Sequence, residues 1–285
     1  MTQQSSEQII EAQRQDWNRV AGGWEKWDRF FDENMTFLNH RLVADARLRT
    51  GQHVLDLGSG TGYPALLAAQ AVGPQGSVIG IDLAEAMLTT AGRKAKTLGL
   101  TNVTFRTGDV TTLPFGAGSF DAVISRFCLM FLPEIPKALG EITRVLKPGG
   151  YLAAAVWASP DKNPYLRISI DVIKQLIELP PPDPEAPGIF RLAKPGDLPA
   201  IAQQAGLLPL ADEEVTAEVV FPSARDYYTS LMDLAAPIQN LLATLSASQK
   251  SEAEHRIIQA AGSYQRGAGI ALPMTVRFVT ARKPI

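Results

Sequence analysis

Residues that form disulfides and metal clusters are scarce in this sequence. Its 285 residues include one cysteine, Cys128, and three histidines. A single cysteine excludes an intrachain disulfide and a metal cluster held by several thiolates. We find no group of residues with metal-ligand spacing and predict no metal centre. The low thiol content indicates a reducing compartment, and we expect the cytoplasm.

An excess of positive charge and a long apolar run are also missing. Lysine and arginine number 27 against 29 aspartates and glutamates, which gives no indication of nucleic-acid binding. No run approaches the ~20 apolar residues that span a membrane. Residues 1–15 are polar and lack the apolar stretch of a secretory signal. We therefore expect a soluble protein with a small-molecule partner, and assembly into a homo-oligomer stays open.

What the sequence does contain is a regular alternation of apolar strands and helical segments. Strands are predicted over residues 54–57, 78–82, 103–106, 120–125, 151–157, 214–221 and 274–281. Helices are predicted from residue 65 and over 84–98, 135–146, 164–178, 195–205 and much of 223–262. This alternation is typical of an α/β fold on a doubly wound, mostly parallel sheet, here of seven strands.

Further helical segments precede the alternating pattern. Helices are predicted over 6–15 and 36–47, and Gly22-Gly23 interrupts the segment between them, which predicts short helices with a bend at the glycines. The predicted division is an N-terminal helical lid (1–50), a core (51–158) and a remainder (159–285) that completes the sheet. Helical cap insertions are expected at about 159–191 and 223–262, with a stiff proline-rich linker at 180–187.

The most informative stretch is residues 54–62, a short apolar run with one acid followed by three alternate glycines. It predicts a buried strand that ends in a tight turn. Gly58, Gly60 and Gly62 lack a Cβ, so the turn can adopt unusual dihedrals and lie flat against a ligand.

Two acids follow later strands. Asp82 ends the second predicted strand about twenty residues after the turn, the separation at which a carboxylate can accept hydrogen bonds from ribose hydroxyls. Asp109 follows the third strand, where it can accept from an exocyclic amino group such as that of adenine. Ligands of doubly wound sheets bind beyond the carboxyl ends of the strands. We therefore expect one crevice, formed with Ser125-Arg126, that binds an adenosine compound.

The glycine spacing distinguishes among such compounds. A dinucleotide fingerprint needs Gly-x-Gly-x-x-Gly, but Tyr63 stands at the sixth position and the third glycine comes early, at Gly62. The Gly-Lys-Ser/Thr of a phosphate loop is absent. Asp56 before the turn would repel a pyrophosphate and could face an ammonium group. The pattern favours a ligand with an amino-acid end over a nicotinamide dinucleotide.

These residues resemble the motifs of class I S-adenosylmethionine-dependent methyltransferases. Residues 54–62 look like the first motif, and the later motifs are matched in order by Asp82, Gly108-Asp109-Val110, Phe120-Asp121-Ala122-Val123 and residues 144–150. The resemblance covers about residues 17–157. It is closest to the group of ubiquinone/menaquinone biosynthesis methyltransferases and small-molecule natural-product methyltransferases.

The resemblance implies a Rossmann-like methyltransferase fold, with S-adenosyl-L-methionine as cofactor and S-adenosyl-L-homocysteine as product. It implies the glycine turn against the methionine moiety, Asp82 on the ribose, Met87 near the adenine and Asp109 on its amino group. The predicted cofactor-binding residues are Trp24, Asp56, Gly58, Ser59, Gly60, Thr61, Gly62, Asp82, Leu83, Met87, Gly108, Asp109, Val110, Ser125 and Arg126.

Several of these residues also have a purely structural interpretation. Trp24 and Trp27 either close over the methionine end of the cofactor or pack the N-terminal helices on the sheet. Asp82 could cap a helix, and Asp109 could simply stabilise the turn in which it lies. The catalytic residue is unknown, and the candidates for a base are His40 and His255. Cys128 is expected to be a small buried residue rather than a nucleophile.

The leading hypothesis is methyl transfer from S-adenosylmethionine to a small, fairly apolar acceptor, as in small-molecule biosynthesis. Oxygen, nitrogen and carbon all remain open as the methylated atom. Apolar cap positions motivate the acceptor class, namely Phe190, Tyr227, Tyr228, Leu231, Met232 and Leu234. The alternatives are a non-catalytic S-adenosylmethionine-binding scaffold or regulatory partner, and a cyclase or isomerase that uses the charged cofactor without consuming it.

Overall fold

The computed structural model describes residues 5–178, 183 and 185–285. Its helices are α1 (Ser6–Lys26), α2 (Asp28–Asp45), α3 (Ala65–Val72), α4 (Glu85–Thr97), α5 (Ile135–Val145), α6 (Pro164–Leu176), α7 (Asp197–Gln204), α8 (Ala224–Leu234), α9 (Ala236–Ala243) and α10 (Ala247–Gly262). The strands are β1 (His53–Leu57), β2 (Ser77–Asp82), β3 (Val103–Thr107), β4 (Phe120–Arg126), β5 (Leu146–Trp157), β6 (Leu208–Phe221), β7 (Gln265–Arg266) and β8 (Gly269–Arg282).

The strands form one sheet in the order β3-β2-β1-β4-β5-β8-β6, and the short β7 pairs with β8. The first five strands are mutually parallel, whereas β8 runs antiparallel to both of its long neighbours, β5 and β6. The winding reverses between β1 and β4, where a ligand crevice is expected. The predicted doubly wound, mostly parallel α/β fold is confirmed, with β7 as an addition to the seven strands.

The central strands are buried on both faces, which explains their nearly continuous apolar sequence. Val54, Leu55 and Leu57 of β1 have no exposed surface, and neither has the 122–124 segment of β4. Burying one such large aliphatic side chain contributes roughly 1.5–3 kcal/mol. The strands directly below the glycine turn therefore belong to the apolar core.

The predicted bend at Gly22-Gly23 is wrong, because α1 continues through both glycines and ends at Lys26. The helix axis breaks at Trp27, which joins α1 to α2. Gly23 serves a close contact instead: a Cβ there would lie 2.0 Å from the backbone oxygen of Asp233 in α8. A Cβ on Gly22 would meet nothing within 4 Å.

The strand bounds differ most in the second half of the chain. β6 begins at Leu208 and β8 at Gly269, well before the predicted starts at residues 214 and 274. The two strands pair over almost their whole length, so mutual pairing extends segments that are weak strands alone. The prolines at 180–182 and 184 lie outside the described residues, so the linker prediction stays open.

The N-terminal helices pack over the carboxyl edge of the sheet. α1 contacts α4, α8 and α9, while α2 contacts α3 and the strands β4, β5 and β6. Across the described ranges, no helix combines the length and the apolar character needed to cross a membrane. The division into lid, core and cap stays a prediction, but the contacts place α1 and α2 between the core helices and the later ones.

Candidate functional site

The parallel register brings the predicted site segments to one edge of the sheet. Leu57 of β1 lies opposite Ile81 of β2 and Ser125 of β4. Asp82 lies opposite Thr107 of β3. The glycine turn, Asp82, Gly108-Asp109 and Arg126 therefore stand side by side at the carboxyl ends of four strands.

The glycine turn needs its glycines for two different reasons. Gly58, Gly60 and Gly62 have φ values of 66°, 51° and 103°, which side chains with a Cβ rarely adopt. At Gly58 a Cβ would also lie 2.5 Å from the Cβ of Cys128. At Gly60 nothing lies within 4 Å of an added Cβ. The middle of the turn thus presents bare backbone to open space, as close approach to a ligand requires.

Asp82 connects the turn to the helix that follows β2. Its Oδ2 accepts the Gly60 N–H at 2.8 Å, and its Oδ1 accepts the Ala84 N–H at 2.9 Å, at the start of α4. Burial raises the pKa of the Asp82 carboxyl, and these backbone N–H groups oppose that rise. Each oxygen keeps a second lone pair that a hydroxyl could use. The capping role is thus present, and the proposed ribose role is compatible with it.

Asp56 is fully buried beneath the turn. Its Oδ2 accepts the Ala65 N–H of α3 at 3.2 Å, whereas its Oδ1 has no hydrogen-bond partner. Burial raises the pKa of the Asp56 carboxyl to about 7, and the positive charge of Arg126 opposes that rise. An unpartnered buried carboxylate oxygen is costly unless a ligand supplies the missing donor.

Two further predicted positions carry unpartnered buried polar atoms, Ser59 Oγ and Trp24 Nε1. Ser59 is 1% exposed, and its Oγ lies over β2, 2.8 Å from where a Cβ on Gly80 would be. Trp24 stacks on Phe31 of α2 with ring centroids 5.0 Å apart. Trp24 therefore packs the two N-terminal helices together and also keeps an N–H free for a partner.

Asp109, which we predicted to contact an adenine amino group, is hydrogen-bonded within its own turn. Asp109 Oδ1 accepts the Thr111 N–H and Oδ2 accepts the Thr111 hydroxyl, both at 2.8 Å. This is the local turn role that Asp residues commonly have. Val110 is buried, and Gly108 N–H donates to the Asp82 backbone carbonyl at 3.0 Å. The role of Asp109 on an adenine amino group stays a prediction.

Met87 is buried in a small cluster with Val20 and Ala21 of α1 and Ala84 before α4, and Leu83 nearby is half-buried. Met87 thus joins the N-terminal helix to the segment after Asp82. Its predicted place near the adenine is untested.

The two residues at the end of β4 face different surroundings. Ser125 is fully buried, and its hydroxyl donates to the Leu57 carbonyl of β1 at 3.3 Å. Arg126 is half-buried, and its Nη1 donates to Asn39 Oδ1 of α2 at 2.9 Å. Ser125 therefore links β4 to β1, whereas Arg126 contacts α2.

The sequence did not indicate the polar contacts between α2, the turn and α4. Asp28, the first residue of α2, accepts from Lys94 Nζ at 2.7 Å and from the Thr61 hydroxyl at 3.2 Å. Lys94 Nζ also lies 3.3 Å from the centre of the Tyr63 ring. These residues are far apart along the chain, and only the fold brings them together.

Phe127 follows Arg126 with φ 58°, which is unusual for a bulky residue. Its ring stacks on Trp157 at the end of β5, with centroids 4.1 Å apart and an interplanar angle of 2°. This conformation directs Cys128 against Gly58. Burial raises the pKa of the Cys128 thiol, and the nearby acids Asp82, Asp56 and Asp109 raise it further. The thiol is therefore protonated and acts as packing.

Both histidine candidates are solvent-exposed, His40 on α2 and His255 on α10. No side-chain hydrogen bond among the described residues ties either ring to the crevice. Their role as a base has no structural support here.

Beyond the ends of β4 and β5 lies a continuous group of aromatic rings, hereafter the aromatic cluster. Successive centroids within it are 4.1–6.4 Å apart. Its members are Trp27, Phe30, Phe127, Trp157, Tyr165, Phe221 and Tyr227. They come from the lid, the strand ends and the helices α6 and α8. Trp157, Tyr165, Phe221 and Tyr227 are buried, whereas Trp27, Phe30 and Phe127 are half-buried.

The doubly wound sheet is a Rossmann-like methyltransferase fold, as in solved structures with a TM-score of up to 0.59. Comparison with known proteins finds that residues 48–179 match the model of the methyltransferase domain.

Two curated relatives are similar over part of the chain. A demethylmenaquinone methyltransferase of Symbiobacterium thermophilum is 40% identical over 131 residues, which cover 46% of this chain and 48% of the relative. The aklanonic acid methyltransferase DauC of Streptomyces sp. strain C5 is 39% identical over 127 residues, 45% of this chain and 58% of the relative. The chain thus spans about half the length of the curated relatives it matches.

Among solved structures, the [4+2]-cyclase SpnF superposes with a TM-score of 0.54 at 24% identity. The match covers 87% of this chain and 80% of the cyclase. At this identity the likeness shows a shared fold.

Proposed function

We propose that this protein binds S-adenosylmethionine at the carboxyl edge of β1, β2 and β4 and transfers its methyl group to a small, fairly apolar acceptor. The observation that carries the proposal is the unpartnered Oδ1 of buried Asp56 below a glycine turn whose centre is open. A ligand with an ammonium group beside an adenosine supplies what this arrangement lacks.

The residues present fit such a cofactor. Asp56 would face the ammonium group, the turn from Gly58 to Gly62 would lie along the methionine chain, and Asp82 would accept from the ribose hydroxyls. Charge-assisted hydrogen bonds of this kind are each worth ~1.5–3 kcal/mol. Asp109 and Met87 would flank the adenine.

When bound, the cofactor supplies a methyl group on a positively charged sulfur, so the protein has little covalent chemistry to perform. The task of the chain is alignment, which can contribute ~7–11 kcal/mol when reactants are well oriented. The lid helices and the aromatic cluster exclude water from the reacting groups. Burial raises the pKa of the Tyr165 phenol, so this hydroxyl stays protonated at neutral pH and can donate to an acceptor oxygen.

The half-buried members of the aromatic cluster, Trp27, Phe30 and Phe127, support a flat, largely apolar acceptor. The named substrates of the two relatives, a demethylmenaquinone and aklanonic acid, suggest conjugated ring compounds as the first acceptors to try. We keep oxygen, nitrogen and carbon methylation open, and we retain a cytoplasmic location as a prediction.

A cyclase that uses the same fold is the second candidate, because the SpnF likeness shows this fold in a protein named for cyclisation. The two activities differ in their stoichiometry. A methyltransferase releases one S-adenosylhomocysteine per product, whereas the cyclase alternative leaves S-adenosylmethionine unconsumed.

The test is a panel of naphthoquinol, anthraquinone and simple phenol acceptors, incubated with protein and S-adenosylmethionine and analysed by mass spectrometry. We expect a product heavier by one methylene unit and an equal amount of S-adenosylhomocysteine. Cofactor binding without product across the panel would favour the scaffold alternative. Product without cofactor consumption would favour the cyclase.

A further inference from the structure

Phe127, the first residue after β4, is a bulky residue in the left-handed region of backbone conformation. Its φ of 58° is one that large side chains rarely adopt. Among the non-glycine residues that the structure describes, only Arg47 also has a positive φ. Such backbone strain persists where surrounding contacts impose it, and it is concentrated at functional sites. The conformation of Phe127 therefore points to a role beyond packing.

Contacts on both sides of Phe127 hold its backbone in place. Its own N–H donates to the Ala155 carbonyl of β5 at 2.8 Å. The next residue, Cys128, lies against the glycine turn, where a Cβ on Gly58 would be 2.5 Å from the Cys128 Cβ. The Cys128 carbonyl in turn accepts the Phe131 N–H at 2.9 Å. Phe127 therefore stands at the border between the proposed cofactor site and the aromatic cluster.

The Phe127 ring is the one member of the aromatic cluster that lies parallel to its neighbour. It stacks on Trp157 with an interplanar angle of 2° and centroids 4.1 Å apart. The other ring pairs of the cluster are inclined by 25° or more. Trp157 is 7% exposed and covers one face of Phe127, and no other ring among the described residues pairs with Phe127. Because Phe127 is only half-buried, its exposed part lies on the side away from Trp157.

We propose that Phe127, held parallel to Trp157, is the stacking surface that positions the acceptor ring next to the glycine turn and selects planar rings over saturated ones, a role that rests on the proposed function. Trp157 fixes the plane of the Phe127 ring, and the left-handed backbone places that ring at the border of the two sites. A planar acceptor extends the stack and gains the contact energy of an aromatic pair in addition to its buried area. A saturated ring of the same size gains only the buried area.

The test is calorimetric titration of 2-naphthol and of trans-2-decalol into the S-adenosylhomocysteine complex. The two probes share a carbon skeleton and a hydroxyl group, and only 2-naphthol is planar. Phe127→Leu should weaken 2-naphthol binding about three- to tenfold and leave the affinities for trans-2-decalol and S-adenosylhomocysteine within about 1.5-fold of wild type, because only the planar probe loses a stacking contact. Phe127→Tyr keeps the ring and should keep the wild-type affinity for 2-naphthol.

Phe115→Leu is the matched control. Phe115 is also half-buried and also pairs with another ring, Phe120, at 5.0 Å, but it lies in the loop before β4 and its ring is inclined by 89°. This variant should bind both probes as the wild type does. Equal losses for the two probes in Phe127→Leu, no loss for either, or no binding of 2-naphthol to the wild-type complex would overturn the proposal. Failure of the wild type to bind S-adenosylhomocysteine would instead reject the proposed function.

Discussion

The buried acid below the glycine turn is the residue on which the account depends most. Asp56 has a pKa raised to about 7 by burial, against an ordinary value of 3.8. Between pH 4 and 7 the unfolded chain has lost this proton while the folded protein keeps it. Stability therefore falls as pH rises through that window, by up to about 4 kcal/mol for this group alone.

Asp56→Asn removes this titration, so the ligand-free variant should lose less stability than wild type between pH 5 and pH 8. Urea unfolding at both pH values measures the difference.

The affinity for S-adenosylhomocysteine should change with pH in the opposite direction to the stability of the protein. An ammonium group favours the ionised carboxylate, so wild-type affinity for S-adenosylhomocysteine should rise about tenfold per pH unit below pH 7 and level off above it. A wild-type affinity that is flat between pH 5.5 and 7 would contradict the assignment of Asp56.

At the residue scale, the sequence predicted which residues stand at strand ends and missed most of the contacts between elements. Asp56, Asp82 and Arg126 could be found because each lies at or near the carboxyl end of a recognisable strand. The contacts of Asp28 with Lys94, and of Asn39 with Arg126, join helices and strands that are distant along the chain. No local pattern encodes such pairs.

At the scale of elements, Gly22 and Gly23 show where local reasoning failed. Adjacent glycines usually disfavour a helix, but α1 runs through both because it packs along its length against α4, α8 and α9. Tertiary contact outweighs the ~1 kcal/mol that each glycine costs relative to alanine.

The two glycines form a matched pair for mutation. Gly23→Ala places a Cβ 2.0 Å from the Asp233 carbonyl oxygen, so we expect α1 and α8 to separate locally and the protein to lose roughly 1–3 kcal/mol. Gly22→Ala meets nothing and should be neutral or stabilise by up to ~1 kcal/mol. Urea unfolding of both variants measures this. Equal changes in stability for the two variants would show that the contact between α1 and α8 does not require glycine at position 23.

At the scale of the whole molecule, the sheet could be predicted because its parallel strands are buried and bounded by glycine, proline and acid signals. The last two long strands were predicted too short, since β6 and β8 owe much of their length to each other. The matched domain ends near residue 179, and the cap helices α8, α9 and α10, which we proposed for the acceptor side, lie beyond it. That is why the cofactor can be assigned from the sequence and the acceptor cannot.

The central claim is that the carboxyl edge of β1, β2 and β4 is the binding site for S-adenosylmethionine. The most direct measurement is calorimetric titration of S-adenosylhomocysteine into wild type and into Asp82→Ala, with NAD as the comparison ligand. We predict saturable one-site binding to the wild type, a loss of about 10- to 100-fold in the folded variant, equivalent to ~1.5–3 kcal/mol, and no binding of NAD. Binding of NAD in place of S-adenosylhomocysteine, or equal affinity in the two proteins, would contradict the account.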